Sequence, residues 1–267
     1  MSPLGQLDDW PCNRAAAAVI RPDGSIETHG DTSAPFALAS VTKLLTAAAV
    51  HLAIEEQTVS LDDRVSSAQL SVGDLLGHAS GLGPTGEVLA GPGRRRVYSN
   101  AGYELVAAHV ESSAGMSFAS YMHDGIFAPL NMTTAALIGS PAHAGRASVE
   151  DLIAWLGGLG TLLAPETIAA MTSPYLPELV GVLPGYGRQS PNTWGLGPEI
   201  RSDKTPHWTG MTNSYSTWGH FGQAGTFLWV DPEINTSLIV LTDQPFGDWA
   251  LDRWPTVSDA VRAEVVG

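Results

Sequence analysis

The chain has 267 residues and a mass of 28.0 kDa, enough to bury a sizeable core in one large domain or two packed ones. Acidic side chains outnumber basic ones by 27 to 13, and the formal charge of −14 disfavours nucleic acid and anionic membranes as partners. The single cysteine, Cys12, excludes an internal disulfide and a cysteine-based metal site.

The start of the chain carries acidic residues, Asp8 and Asp9, and residues 1–14 contain no continuous apolar stretch. We therefore expect neither a secretory nor a lipid-anchor signal, and a cytoplasmic protein. The longest apolar runs, 44–54 and 152–164, fall short of the ~18 residues that span a bilayer. They are predicted to be buried helices, so no membrane partner is expected.

Two predicted strands precede the first long helix. Residues 15–20 are apolar, residues 21–24 carry turn chemistry, and residues 25–29 alternate, a pattern typical of a β-hairpin. Residues 44–56 are apolar on nearly every face, which predicts a helix packed inside the protein.

The rest of the chain is predicted to be helical in the middle and to return to strands near the end. Helical patterns cover 71–78, 101–114, 117–127 and 148–159, and a terminal helix is expected at 257–265. Strand-like composition returns at 194–200, 227–230 and 237–242. Strands at both ends imply one sheet built from both termini, an α+β fold. The expected division is a sheet domain formed by 1–60 and 164–267 and a helical insertion at 61–163, packed as one unit with the active site at their junction.

Ser40 and Lys43 lie three residues apart at the head of the most apolar predicted helix. Lysine is scarce, since Lys204 is the only other one in the chain. Residues three apart share a helix face, so the hydroxyl and the amine can come within hydrogen-bond distance. A lysine desolvated by apolar walls loses its charge and can take a serine proton. Ser-x-x-Lys is also a common chance pattern, so the spacing alone leaves the role open.

Two further groups of residues with polar side chains lie just before a predicted helix or strand. Tyr98, Ser99 and Asn100 offer a proton shuttle and a donor for a carbonyl, or alternatively only a helix cap from Ser99 or Asn100. The glycine-rich segment 219–225, with His220, precedes a predicted strand. Its glycines can admit a substrate against the strand edge, or can simply mark a bulged or tightly packed strand.

Taken in order, Ser-x-x-Lys at Ser40, Tyr-Ser-Asn at Tyr98 and His-x-Gly at His220 resemble the penicillin-recognising serine hydrolases. These include the class C β-lactamases, the D-alanyl-D-alanine carboxypeptidases of the Streptomyces type, and the β-lactamase-like carboxylesterases. The phrase Leu-Leu-Gly-His-Ala-Ser-Gly-Leu at 75–82 supports the resemblance, which runs from about residue 15 to 242. It implies a β-lactamase/transpeptidase-like fold, with the sheet flanked by helices.

The resemblance also implies roles for individual residues. Ser40 would attack a carbonyl and become acylated, with Lys43 and Tyr98 as the base system, and which of the two takes the proton stays open. Asn100 would steer the acyl side chain of the substrate. His220 would occupy the place where many relatives have lysine. It would either maintain the electrostatic environment of the tyrosine or shuttle a proton.

The segment after His220 is expected to contact the substrate through Phe221, Gly222 and Gln223. The backbone N–H groups of Ser40 and Gln223 would form the oxyanion hole. Relatives that bind β-lactams or peptide C-termini usually carry threonine or serine where Phe221 stands. Carboxylate recognition is therefore expected to be weak, and no extra glutamate base for deacylation is evident.

The sequence as a whole favours a serine hydrolase that cleaves small esters or amides through an acyl-enzyme. The alternatives are a D-alanyl-D-alanine carboxypeptidase, a weak class C-like β-lactamase, and a non-catalytic binding module that keeps the fold. No cofactor is expected, because the eight histidines show no paired metal spacing and no phosphate-binding glycine loop occurs. The expected partner is a small acyl substrate, and the oligomeric state stays open.

Two other features have competing interpretations. The run Arg94, Arg95 and Arg96 is the only basic cluster, and is either a solvated loop with local ion pairs or an anion site at the pocket mouth. Trp194 and Trp208 belong either to the core or to the lining of an apolar acyl pocket.

Overall fold

The structure, a computed structural model, describes residues 2–66 and 69–267. The α-helices are α1 (Thr42–Glu55), α2 (Val72–Leu76), α3 (Asn100–Ala114), α4 (Phe118–Met122), α5 (Val149–Leu162), α6 (Pro165–Thr172) and α7 (Asp248–Val266). The strands are β1 (Ala15–Ile20), β2 (Ile26–His29), β3 (Phe36–Ala37), β4 (Arg64–Val65), β5 (Leu70–Ser71), β6 (Ala136–Leu137), β7 (Gly145–Ala147), β8 (Gly181–Leu183), β9 (Gly187–Gln189), β10 (Glu199–Ile200), β11 (Trp218–Gly222), β12 (Thr226–Asp231) and β13 (Thr236–Thr242). A 3₁₀ helix at Pro3–Asp9 precedes β1, and a π-helical turn at His123–Phe127 follows α4.

The main sheet is antiparallel and is built from both ends of the chain, as predicted. Its strand order within the described residues is β10, β11, β12, β13, β1, β2. In β1, Ala18 lies opposite Ile239 of β13 on one side and Thr28 of β2 on the other. The predicted N-terminal hairpin and the pairing of the two termini are thus confirmed.

Two apolar clusters cover the two faces of this sheet. Along β12, Leu228 belongs to the cluster under α1, α3 and α5, whereas Phe227 and Trp229 belong to the cluster under α7. This alternation follows from the two-residue repeat of a strand. The sheet is therefore a central layer between helices, and α7 covers the second face with Trp254.

Helix α1 lies inside the protein. Eleven of its 14 residues are buried, including Lys43, and the helix contacts α3, α4 and β11. A helix that is apolar on nearly every face buries all of its apolar residues only when other elements surround it. The prediction of a helix packed inside the protein is therefore confirmed. No helix in the described ranges is both long enough and apolar enough to cross a membrane.

Three elements differ from their predictions. Residues 194–200 form a strand only at β10, because Gly195–Pro198 closes a turn in which the Gly195 N–H donates to the Pro198 carbonyl at 2.9 Å. Helix α7 begins at Asp248, nine residues before the predicted 257, although Pro255 lies inside it. A proline normally interrupts a helix, and here burial of Trp254 against the sheet keeps the first half helical. Helix α6 was not predicted.

Arg96 is neither a solvated residue nor part of an anion site, so both interpretations of the arginine run are wrong for it. Its side chain is 1% exposed, whereas Arg94 and Arg95 are exposed. The guanidinium donates to the carbonyls of Asn192 at 3.0 Å and Leu176 at 2.9 Å, and also to those of Gly77 and Tyr175. Burial lowers the pKa of Arg96 to about 10, so it is charged at neutral pH. It joins segments that are distant in sequence.

Replacing Arg96 by methionine should lower the free energy of unfolding by about 3 kcal/mol or more, because the four carbonyl oxygens lose a charged donor in a buried place. The matched control is Arg95→Met, which changes an exposed neighbour and should stay within about 0.5 kcal/mol of the parent. Urea denaturation of the two variants measures the difference. Equal stability of both variants would contradict the structural role of Arg96.

Candidate active site

Ser40 lies in a short 3₁₀ turn, Ala39–Val41, that leads directly into α1. Ala39 has a φ of +45°, in the left-handed region that residues other than glycine seldom adopt. Strained backbone of this kind concentrates at functional sites. The amide of Ser40 lies in the first turn, where an N–H has no acceptor within the helix. The turn therefore offers a half-buried hydroxyl and a backbone donor at the same residue.

Lys43 is fully buried one turn after Ser40. Its Nζ lies 2.8 Å from Oδ1 of Asn100, 2.8 Å from the carbonyl oxygen of Ala142 and 3.4 Å from Oγ of Ser40. Burial lowers the pKa of Lys43 well below its usual value, against the opposing charge of Glu104. A neutral amine has two hydrogens and one lone pair. The two carbonyl oxygens use the hydrogens, which leaves the lone pair for the Ser40 hydroxyl.

Tyr98 lies in the loop before α3, on the other side of Ser40. Its phenol donates to Oγ of Ser40 at 2.8 Å, and the Lys43 amine lies 4.6 Å from the centre of its ring. Burial raises the pKa of Tyr98 above its usual value, and the charge of Glu199 raises it further, although the Ser40 hydrogen bond opposes them. The phenol is therefore protonated at neutral pH. Ser40, Lys43 and Tyr98 therefore form a triangle in which Ser40 is hydrogen-bonded to both of the others.

His220 lies on β11, with its ring centre 5.9 Å from that of Tyr98. Its Nδ1 donates to the carbonyl of Phe221 at 2.6 Å, so the other nitrogen, Nε2, is an acceptor. Burial lowers the pKa of His220 to about 3. The imidazole is therefore neutral at pH 7. Its Nε2 is buried and has no hydrogen-bond partner within residues 2–66 and 69–267.

The remaining predicted site residues take different positions. Asn100 is the first residue of α3, and its amide oxygen accepts from Lys43, while Ser99 is the N-cap with its Oγ accepting from the Gly102 N–H. The helix-cap interpretation is therefore correct for Ser99, and Asn100 lies beside Lys43. Gln223 is exposed, and it lines a small pocket together with Ser40. Its backbone N–H has no acceptor in the described part of the chain.

Phe221 and Gly222 have packing roles in addition to their place near the site. The Phe221 ring belongs to the cluster under α7, 5.2 Å from Phe246 and 5.8 Å from Trp254. A Cβ on Gly222 would lie 2.4 Å from the carbonyl oxygen of Leu38. Glycine at this position therefore lets β11 lie close against the turn that carries the nucleophile.

A small pocket adjoins Ser40. Its volume is about 40 Å³, and most of its lining is apolar. Of the two tryptophans that were candidates for the pocket lining, Trp194 lines the pocket. Trp208 does not, and its indole N–H donates to the buried carboxylate of Glu199. The lining residues are Ser40, Tyr98, Leu183, Pro184, Trp194, His220, Phe221 and Gln223.

A buried ion pair lies behind the pocket. Glu199 accepts hydrogen bonds from Lys204 and, at 2.9 Å, from Nε2 of His207. Burial would raise the pKa of Glu199, but Lys204 and His207 outweigh it and hold that pKa far below its usual value. Burial lowers the pKa of Lys204 to about 8, against the pull of Glu199. The second lysine of the chain is thus paired with Glu199 and makes no hydrogen bond to Ser40 among the described residues.

Sequence reasoning missed several contributors to this site. The carbonyl of Ala142 has no side-chain signature, and Leu183 and Pro184 lie in a glycine-rich segment without periodicity. For His78 a sequence signal existed, because the residue belongs to the family-like motif at 75–82. It is fully buried with a φ of +55°, its Nδ1 accepts from the Ser99 N–H at 3.1 Å, and its ring lies 4.6 Å from that of Tyr98. His78 therefore positions the loop that carries Tyr98.

Comparisons with known proteins agree with this arrangement. A sequence profile described as β-lactamase matches residues 14–261. A solved β-lactamase from Mycobacterium bovis is 47% identical, with a TM-score of 0.96 over 99% of each chain. The chain belongs to the β-lactamase family. Members of this family are serine hydrolases, which fits a site with a serine at its centre.

Two more distant solved structures share the family fold. A penicillin-binding protein from Bacillus halodurans is 17% identical, with a TM-score of 0.78 over 98% of this chain and 99% of the other. A D-amino acid amidase from Ochrobactrum anthropi is 18% identical, with a TM-score of 0.79 over 98% of each chain. At these identities the likeness concerns the fold alone, and it confirms the predicted β-lactamase/transpeptidase-like architecture. No curated protein sequence matches the chain.

Proposed function

We propose that the protein hydrolyses small, uncharged esters or amides through an acyl-enzyme on Ser40. The observation that carries this proposal is the triangle of Ser40, Lys43 and Tyr98, in which a buried lysine with a lowered pKa faces a serine hydroxyl. A nucleophile beside a base that is itself held in place is the arrangement that covalent catalysis needs.

Lys43 is the proposed base for acylation. Burial lowers the pKa of its amine and so favours the neutral form, and Asn100 and Ala142 accept from two of its N–H groups, which supports a lone pair that faces Ser40 in that form. Tyr98 carries its own proton and donates to Ser40, so in the resting enzyme it is an acid. In the proposed acylation the Ser40 proton moves to Lys43 as Oγ attacks the carbonyl carbon, so of the two bases that the sequence left open we favour Lys43.

The later steps use the other proposed groups. The backbone N–H groups of Ser40 and Gln223 stabilise the oxyanion of the tetrahedral intermediate. When the bond to the leaving group breaks, Tyr98 gives its proton to the leaving oxygen or nitrogen. The protonated Lys43, whose amine lies 4.6 Å from the centre of the Tyr98 ring, then supplies a proton to the resulting phenolate, because the acylated Ser40 has no hydrogen to pass on. Water then attacks the acyl carbon, its proton returns to the same base system, and Ser40 leaves as the hydroxyl.

The preference for uncharged substrates rests on the pocket chemistry. No lysine or arginine lines the pocket, and the neutral His220 presents a lone pair. A carboxylate on the substrate would therefore find no cation there. Glu166, in the first turn of α6, is exposed and makes no hydrogen bond to Ser40 among the described residues, so rapid deacylation of a penicilloyl-enzyme has no evident base.

β-Lactam hydrolysis is the second candidate, because the 47% identical relative from Mycobacterium bovis is described as a β-lactamase. A side-by-side assay of ethyl acetate, ethyl butyrate, nitrocefin and a D-alanyl-D-alanine peptide separates the candidates. We expect turnover of the esters to exceed that of nitrocefin and of the peptide. Faster nitrocefin hydrolysis would favour the β-lactamase, and no turnover of any substrate would favour a binding module.

A further inference from the structure

We propose that the pocket beside Ser40 receives the leaving group of the substrate, and that Leu183 and Pro184 restrict it to a small, uncharged alcohol or amine. The inference deepens the proposed function and rests on it. Leu183 and Pro184 lie at the tip of the hairpin formed by β8 and β9, a segment to which neither the sequence pattern nor the family motifs give a role.

The position of Tyr98 assigns the pocket to the leaving group. When the acyl-enzyme forms, the departing oxygen or nitrogen must take a proton, and the Tyr98 phenol already lies 2.8 Å from the attacking Oγ of Ser40. A group that receives this proton must lie within hydrogen-bond distance of Tyr98. Tyr98 and His220 both line the pocket, so a group that departs toward them enters it.

The chemistry of the lining selects for neutral groups with a hydrogen to donate. Leu183 is fully buried in the same apolar cluster as Trp194 and Phe221, and among the buried side-chain nitrogens of the lining that the structure describes, Nε2 of His220 has no hydrogen-bond partner. That nitrogen accepts, because Nδ1 is the donor to Phe221. An alcohol O–H or an amine N–H satisfies it, whereas a carboxylate adds a second acceptor and a charge without a counter-ion.

The size of the pocket sets the limit on the leaving group. Its volume is about 40 Å³, and a cavity needs about 10 to 15 Å³ to hold one water molecule, so the pocket has room for about three non-hydrogen atoms. A methyl or ethyl group therefore fits, and a butyl group requires a shift of the wall. A backbone hydrogen bond holds the wall in place. The N–H of Arg96, two residues before Tyr98, donates to the carbonyl of Val180, the residue before β8, at 2.8 Å.

The test uses methyl, ethyl, n-butyl and benzyl esters of one acid, with hydrolysis followed by acid release. For the wild-type protein we expect kcat/KM to fall on the order of 10-fold or more from ethyl to n-butyl. Leu183→Ala should reduce that ratio to a few-fold. Val182→Ala, on the exposed neighbour in the same strand, is the matched control and should keep the wild-type profile.

Further arms separate the possible outcomes. Pro184→Ala removes the second wall residue, and it should widen the leaving-group range even where Leu183→Ala folds poorly. An unchanged leaving-group profile in both variants, or a shift only in the acyl-chain profile of methyl esters, would overturn the pocket assignment while leaving ester hydrolysis intact. If the wild-type protein cleaves none of the esters and Ser40 is not acylated, the proposed function itself fails.

Discussion

A Ser40→Ala protein is expected to fold normally, to lose covalent labelling by a fluorophosphonate, and to lose ester turnover by about 10⁴-fold to 10⁶-fold. The hydroxyl is half-buried, and its hydrogen-bond partners are Tyr98 and Lys43. Removing one oxygen leaves no cavity in the core, so the melting temperature should change little. The loss is chemical, because alanine offers no atom for the acyl group.

Ser99→Ala is the informative control for this experiment. Ser99 lies next to Tyr98, but its hydroxyl donates to the Gly83 carbonyl at 2.9 Å and caps α3, and it does not contact Ser40. That variant should lose about 1 kcal/mol of stability and still be labelled. Mass spectrometry of the labelled wild-type protein should find the adduct on the peptide that contains Ser40. Full labelling of Ser40→Ala would refute the nucleophile assignment.

The sequence predicted those parts of the fold and site that are local. The all-round apolar pattern after Lys43 predicted an enclosed helix, and the three-residue spacing from Ser40 placed the hydroxyl and the amine on one face of its first turn. The apolar strand-like segments near both termini predicted a shared sheet, and its strands are buried on both faces. Periodicity is a property of a single segment, so it can be read without knowing the partners.

What escaped prediction depends on contacts between distant segments. Arg96 is one of three consecutive arginines, so the sequence alone indicates an exposed residue. Its burial is explained by the four carbonyl groups from distant segments that accept hydrogen bonds from it. The Ala142 carbonyl orients the Lys43 amine through its backbone, which any residue can supply. Leu183 lies in a short glycine-rich hairpin whose position beside Ser40 is set by tertiary packing. The proposed division into domains remains a prediction.

The second large effect is expected from Lys43→Met, which should reduce kcat/KM by about 10³-fold to 10⁴-fold while leaving the fold intact. Methionine keeps the length and the apolar stem of the side chain but cannot take the Ser40 proton. The Tyr98 phenol does not replace it, because burial raises its pKa and keeps it protonated. Activity of the wild-type protein should fall as pH decreases through the lowered pKa of Lys43, since the amine must be neutral.

The same substitution reports the protonation state of Lys43 through stability. In the unfolded chain the amine binds a proton up to a pKa of about 10.4. In the folded protein burial lowers the pKa, so folding releases that proton in the window between the two values. Wild-type stability should therefore rise with pH relative to Lys43→Met, by up to about 1.4 kcal/mol per pH unit, and level off near pH ~10.4. Urea denaturation at several pH values between 7 and 10 measures the difference.

Lys204→Met provides the contrast, because the chain has only these two lysines and both are buried. Lys204 is paired with Glu199, so its removal leaves an uncompensated buried carboxylate and should cost about 3 to 5 kcal/mol at pH 7. Lys43 contacts only neutral oxygens, so its charge in the folded state would have no partner. A stability difference between wild type and Lys43→Met that stays flat with pH would mean a charged Lys43, and the assignment of the base would then be wrong.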